Sequence, residues 1–260
     1  MTTLEASELT EPPPLAAFVR PSLFLDLDGT LADIQPLPQD VKPESWRSRL
    51  LRSLQTRLDG RLAVISGRTL ADVDAILEHS VTTVAAVHGL VRRASDGEIA
   101  ATTPHPGVEG AVRDAEDLVR RHPQLNLELK GPSFALHYRQ APELAGRVMD
   151  AAQTLADRWG LRMQPGDMVV ELCTPGPDKG SAILDLMRTA PFQGSVALFL
   201  GDDLTDEAGF KAVRSLGGLG VLVGPRRPTA AAARLSGVGA VRTWLEQGLD
   251  GQGLDERTGR

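Results

Sequence analysis

The chain has 260 residues, 42% apolar and 24% charged, with a net charge of −6 and a single cysteine. That balance excludes a general nucleic-acid surface, which needs concentrated Lys and Arg, and one cysteine excludes an internal disulfide. No apolar run approaches the ~20 residues that span a bilayer. Met1 to Pro14 has neither the basic start nor the apolar centre of a signal peptide. A cytoplasmic protein with no membrane partner is expected, and a monomer.

In chain order, residues 1–20 are polar and Pro-rich and are predicted to be a loose lead-in, as are residues 248–260 at the other end. Residues 22–27 read as a buried strand, and Trp46, Leu50, Leu54 and Leu58 recur at helical spacing. A short apolar strand at 62–65, a helix at 70–79 and a strand at 84–87 follow. This β-α-β-α-β rhythm predicts a parallel sheet with helices on both faces.

From residue 89 the rhythm changes. Two short strands flank Ser95-Asp96-Gly97, a hairpin signal. A helix carrying Val112, Ala115 and Val119 leads to a strand pair turning at Gly131-Pro132. A helix through Leu144, Val148, Leu155 and Trp159 precedes a last pair turning at Pro165-Gly166-Asp167. After Lys179 the first rhythm resumes, with a helix at 180–189, a strand at 196–200, a helix at 205–213 and a strand at 219–223. The predicted fold class is therefore α/β. A Rossmann-like doubly wound core over residues 21–88 and 175–247 is interrupted by an inserted α+β cap over 89–174.

The segment Phe24-Leu25-Asp26-Leu27-Asp28-Gly29-Thr30 places two acids at the carboxyl end of the first strand, where open α/β sheets bind ligands. Burying carboxylates there is costly without a cation. Mg²⁺ supplies that cation and can bridge to a phosphate oxygen. An ionised Asp26 can then attack phosphorus, while Asp28 protonates the leaving oxygen and later activates water. A calcium loop is excluded, because Asp33-Ile34-Gln35-Pro36 does not continue the ligand spacing.

Three further segments stand at core strand ends or helix starts. Ser66 and the Gly67 amide, in Ser66-Gly67-Arg68, can bind a phosphate oxygen. Lys179 opens a helix, where its ammonium can neutralise phosphate and Asp26 together. Asp202, Asp203 and Asp206 cluster after the strand at 196–200 and suit a magnesium site. Each alone reads as an ordinary cap, surface lysine or acidic helix start. Together, in this order, they resemble the haloacid dehalogenase superfamily of aspartate-nucleophile phosphatases.

In the inserted segment, alternation puts Asn126, Glu128 and Lys130 on one strand face, Ala135, His137 and Arg139 on one face of the next, and Val169 with Glu171 on a third. Such a face offers partners for sugar hydroxyls, although the same pattern fits a plain solvent face. Val87-His88-Gly89, Glu128-x-Lys130, His137-Tyr138-Arg139, Glu171 and the run from Gly201 to Glu207 resemble the trehalose-6-phosphate phosphatase family, over about residues 24–223.

That resemblance implies that Glu128, Lys130 and Glu171 hold the distal glucose, with His88, His137 and Arg139 also at the substrate. It implies metal contacts from Asp26, the Asp28 backbone carbonyl and Asp202, with Asp203 and Asp206 supporting them. One departure stands out: the family's basic residue and proline after this glutamate are replaced by Leu172-Cys173-Thr174-Pro175. Another sugar phosphate of the sucrose or glucosylglycerol type, a hexose phosphomutase activity and a catalytically silent sugar-phosphate sensor remain the alternatives.

Overall fold

The computed structural model describes residues 9–250. The parts of the predicted loose ends over 1–8 and 251–260 lie outside the described residues. Strands β1 (Pro21–Leu25), β2 (Leu62–Ile65) and β3 (Thr83–Ala86) alternate with helices α1 (Ser45–Arg57) and α2 (Leu70–Leu77). A hairpin of β4 (Val91–Arg93) and β5 (Ile99–Ala101) follows. Next come α3 (Gly107–Arg121), β6 (Asn126–Leu129), β7 (Ser133–His137), α4 (Ala145–Trp159), β8 (Arg162–Gly166) and β9 (Val169–Cys173). The chain closes with α5 (Lys179–Leu186), β10 (Val196–Gly201), α6 (Glu207–Ser215), β11 (Leu219–Val223), β12 (Ala233–Leu235) and α7 (Val238–Asp250).

Eight strands form one sheet in the order β12-β11-β10-β1-β2-β3-β4-β5, parallel from β12 to β3. Its central strands are apolar on both faces because helices cover both. Period-two alternation divides them: Leu23 and Leu25 enter one apolar cluster with Leu62 and Val64, while Phe24 enters another with Ala63 and Phe199. From β1 the chain winds to β2 and β3 on one side, and from β10 to β11 and β12 on the other. The direction reverses between β1 and β10, so their carboxyl ends flank the crevice where ligands bind in such sheets.

The second sheet is antiparallel, ordered β6-β7-β9-β8. Phe134, Leu136, Val170 and Leu172 of this sheet share an apolar cluster with Val108, Ala111 and Ala115 of α3 and Val148 and Ala152 of α4. The opposite face is left polar.

Three boundaries differ from the sequence reading. The hairpin of β4 and β5, expected in the insertion beginning at residue 89, extends the large sheet instead, with Ala85 opposite Arg92 and Arg92 opposite Ala100. Backbone pairing at the free edge of β3 captures it, and the Arg93 guanidinium fixes it by a bidentate pair with Asp74 of α2. Secondly, residues 9–20 are not loose: Thr10 bridges to Ala233, Leu15 is buried, and the Trp244 indole donates to the Pro13 carbonyl at 2.9 Å. Thirdly, α7 runs to Asp250, and a Cβ on Gly248 would lie 2.8 Å from Leu15, so the tail expected from 248 starts as packed helix.

Truncating Leu15 would therefore open a cavity rather than shorten a tail. Leu15→Ala should cost about 2–3 kcal/mol, read as a lower denaturant midpoint with an unchanged slope. An unchanged midpoint would return residues 9–20 to the role of a lead-in.

Candidate active site

β1 ends by delivering Asp26, whose amide donates to the Leu200 carbonyl of β10 at 3.0 Å. The chain then turns at once, with the amides of Leu31 and Ala32 both donating to the Leu27 carbonyl. Gly29 sits in this turn at φ +73°, and a Cβ there would stand 2.0 Å from Asp202 Oδ2. Only glycine fits, for both reasons.

Lys179, first residue of α5 and almost wholly buried, reaches Asp26 Oδ1 at 3.0 Å and Asp206 Oδ1 at 2.7 Å. The other Asp206 oxygen accepts the amides of Asp202 and Asp203, each at 2.9 Å. Asp206 thus has both oxygens committed to protein donors. Asp203 caps the following turn through the Leu204 amide. Arg227 ties the same loop down, donating to the Asp203 carbonyl at 2.6 Å and pairing with Glu207. The sequence reading did not single out Arg227; its only signal was an Arg pair in a loop.

Asp26, Asp202 and Asp206 bring carboxylate oxygens within 4.8 Å of one another. Three acids against one ammonium leave two negative charges uncompensated. Burial, only partly offset by Lys179 and reinforced by Asp206, pushes the Asp26 carboxyl well above its ordinary value. Burial and Asp206 push Asp202 up to about 7. Asp202 Oδ1 is buried without a hydrogen-bond partner. A hard divalent cation with oxygen ligands fits this donor set, and Mg²⁺ is such a cation.

Asp28 is not part of that cluster. Its carboxylate is gripped end-on by Arg68, Nε to Oδ2 and Nη2 to Oδ1, both 2.7 Å. Arg68 also donates to the Pro38 carbonyl at 2.9 Å. Sequence reasoning quoted Arg68 within Ser66-Gly67-Arg68 but gave it no role; the bidentate fork is its reason for being there. Ser66 is buried beside it, its hydroxyl accepting the Arg68 amide at 3.2 Å.

The polar face of the second sheet lies over this loop. Glu128, Ala135 and Glu171 stand in one row across β6, β7 and β9, and the small Ala135 leaves room between the two acids. Lys130 donates to Glu171 at 2.9 Å and to the Gly67 carbonyl at 2.9 Å, so one ammonium spans both sheets. His88, after β3, places Nε2 3.3 Å from Glu171 Oε2. A Cβ on Gly67 would lie 2.6 Å from that imidazole.

Burial opposes the charge of Glu171, but Lys130, His88 and Ser133 outweigh it and hold the carboxyl far below its usual range. Glu128 is held low in the same way, against burial, by His137 at 2.8 Å and by Lys130. Arg139 pairs instead with Asp167 of the β8–β9 turn at 2.7 Å. Cys173 is wholly buried, its thiol pushed up by burial and by Glu171, which makes it inert. Of the site residues predicted from the sequence, all but Ser66 and Asp206 line one cleft between the two sheets.

A doubly wound core with an acid cluster at its switch point and a second sheet over it defines a class of fold, the one that haloacid dehalogenase-like hydrolases share. The fold matches one such hydrolase from Bacteroides thetaiotaomicron with a TM-score of 0.63 over 86% of this chain and 98% of that one, at 17% identity. Within that class the chain belongs to the trehalose-phosphatase family, whose profile matches residues 24–237. It is 41% identical over 240 residues to the trehalose-6-phosphate phosphatase of Escherichia coli K12, covering 92% of this chain and 89% of that one. The C-terminal domain of the Candida albicans trehalose-6-phosphate phosphatase has the same fold, with a TM-score of 0.84 at 21% identity over 95% of this chain and 99% of that one. Among the described residues no helix is long and apolar enough to cross a membrane.

The raised Asp202 carboxyl has a consequence for cation binding. Without a cation, the proton on Asp202 stabilises the fold below the ordinary value of 3.8, and that contribution is lost as pH rises through about 7. A cation replaces the proton, so Mg²⁺ should raise Tm more at pH 8 than at pH 5.5, and Asp202→Asn should shrink the pH 8 shift severalfold. Thermal melts with and without Mg²⁺ check this; equal shifts at both pH values would contradict it.

Proposed function

We propose that the chain hydrolyses trehalose 6-phosphate to trehalose and phosphate in the cytoplasm, with Mg²⁺ bound by Asp26, the Asp28 backbone carbonyl and Asp202. The observation that carries this reading is the juxtaposition of two unlike sites in one cleft: the acid cluster around Lys179 below, and the Glu128–Lys130–Glu171 row above. The relatives named above support the choice of sugar.

When bound, Mg²⁺ would neutralise the acid cluster and draw negative charge from the phosphate oxygens. Asp26 Oδ attacks phosphorus, forming an O–P bond as the bond to the sugar oxygen breaks. Lys179 partly offsets the burial that disfavours the ionised Asp26 carboxyl and offsets phosphate charge, while the Ser66 hydroxyl and the Gly67 amide hold a phosphate oxygen. Arg68 holds both Asp28 oxygens as a carboxylate, so one oxygen leaves that fork and takes up a proton as substrate binds; Asp28 then gives this proton to the leaving sugar oxygen. It then takes a proton from the water that attacks the aspartyl-phosphate, returning Asp26 as a carboxylate. The Arg68 fork fixes which way the Asp28 carboxyl points. Asp203 and Asp206 hold the loop that carries Asp202.

Over this chemistry, Glu128, Lys130 and Glu171 accept from and donate to the hydroxyls of the distal glucose, with His88, His137 and Arg139 also at the substrate. Because Lys130 also grips the Gly67 carbonyl, sugar recognition and phosphate positioning share one ammonium. A ligand without the distal ring leaves Glu128, Lys130 and Glu171 paired with one another and with His137 and His88, and gains none of the hydrogen bonds that the sugar hydroxyls would make.

Asp26→Asn should remove turnover with all substrates and leave the fold intact. Asp28→Asn should lower kcat about 10²–10⁴-fold, the usual worth of a general acid or base. Glu128→Ala should lower kcat/KM for trehalose 6-phosphate roughly 10- to 100-fold, the worth of charged hydrogen bonds to the sugar, while barely changing an aryl phosphate. Equal losses on both substrates would remove Glu128 from sugar recognition, and normal turnover by Asp26→Asn would remove Asp26 from its role.

A further inference from the structure

The acid floor and the charged roof of the cleft carry the chemistry proposed for it, and one wall is left without a role. The cleft's apolar side chains are Ile34, Pro36, Pro38 and Val169, and three of the four come from one segment, the loop between the Asp28 turn and α1. Ile34 is 45% exposed, and Gln35 and Pro36 beside it are exposed as well. An exposed isoleucine means little by itself. Here it lines a cleft whose other walls are mostly charged.

The loop is held at both ends. Arg47 of α1, almost wholly buried, donates Nη1 to the Leu31 carbonyl at 3.3 Å and Nη2 to the Lys42 carbonyl at 2.6 Å. Two prolines fix φ between those points. The Pro38 carbonyl accepts from Arg68 Nη1, the guanidinium that also forks Asp28. The tip has no such tie: the Gln35 amide group makes no hydrogen bond among the described residues.

The chain path sets that tip beside the reacting groups. Asp28 bridges Ala32, and the Gly29 amide donates to the Ala32 carbonyl at 2.7 Å. Ile34 follows two residues on, within about 7 Å of Ala32 along the chain. A 6-phosphate ester has a single methylene between its ester oxygen and the sugar ring. With phosphorus at Asp26 and the ester oxygen at Asp28, the ring that carries the phosphate therefore lies next to this tip. A hexose ring is apolar on its C–H face and polar at its rim, and pockets hold such ligands with apolar walls and a few placed polar groups.

We propose that Ile34, Gln35 and Pro36 form the subsite for the phosphate-bearing hexose ring, Ile34 and Pro36 against its C–H face and the Gln35 amide group bonded to its hydroxyls. The subsite rests on the phosphatase reading above and accounts for the ring next to the scissile bond, to which that reading assigns no residue.

Inhibition of trehalose 6-phosphate turnover by glucose 6-phosphate and by inorganic phosphate reads the subsite directly, because only the first inhibitor carries the near ring. Glucose 6-phosphate should inhibit the Mg²⁺-loaded wild type more tightly than inorganic phosphate does. Ile34→Ser should raise its inhibition constant about tenfold, the scale of an apolar contact with a ligand. The same variant should leave the inorganic phosphate constant unchanged and raise KM for trehalose 6-phosphate with kcat kept, and Ile34→Leu should restore wild-type values. Glucose 6-phosphate no tighter than inorganic phosphate, an unmoved constant in Ile34→Ser, or a loss that extends to inorganic phosphate would overturn the subsite and leave the phosphatase reading standing. A folded wild type that releases no phosphate from trehalose 6-phosphate would remove that reading and the subsite with it.

Discussion

The buried ammonium of Lys179 is the interaction on which the rest of the site depends. It stands between Asp26 and Asp206 with almost no exposure, and burying charge in this way is tolerated only when each group is paired. Asp206 in turn receives two backbone amides, which shapes the loop that carries Asp202. One lysine at the head of α5 therefore sets Asp26 at the end of β1 and, through Asp206, the loop after β10. The cluster is still left two charges too negative, and that deficit is what a divalent cation would fill. The doubly wound sheet makes this possible by ending β1 and β10 side by side at its switch point.

The second sheet is tied to this centre by few but charged contacts. Lys130 bridges Glu171 to the Gly67 carbonyl, and His88 reaches up from the core to the same Glu171. Glu171 accepts from Lys130, His88, Ser133 and Cys173. Its charge is thus satisfied in the closed arrangement and would be stranded if the sheet lifted away without solvent entering. The departure at Cys173-Thr174 is accommodated within this network. The thiol donates to Glu171 at 3.4 Å, and the Thr174 hydroxyl donates to the Pro132 carbonyl at 2.6 Å.

What the sequence made legible followed physical periodicity. The strand at Leu62–Ile65 matches its predicted limits because an apolar run bounded by Gly60 and Ser66 has few other solutions. Alternation put Glu128 on one strand face with Asn126 and Lys130, and Glu171 on another with Val169; the family resemblance brought the two together, and the pairing of β6, β7 and β9 sets them in one row. What it did not show were partners distant in sequence. The hairpin of β4 and β5 reads as a local motif, and nothing local says which sheet captures it. Likewise α7 and the segment near Leu15 are stabilised by each other, 231 residues apart at the Trp244–Pro13 bond, so each reads as a tail by itself. Arg68 is of the same kind: its spacing to Asp28 carries no period, and only the fold brings the fork to the carboxylate.

The most direct test of the account is phosphate release from trehalose 6-phosphate with and without Mg²⁺, measured beside glucose 6-phosphate, sucrose 6-phosphate and an aryl phosphate. Mg²⁺-dependent turnover with a strong preference for trehalose 6-phosphate in kcat/KM is the expected result. Magnesium-dependent turnover confined to another sugar phosphate would keep the Lys179 centre and contradict the reading of Glu128, Lys130 and Glu171. A folded protein silent on all four would contradict the central claim itself and point to a sugar-phosphate sensor.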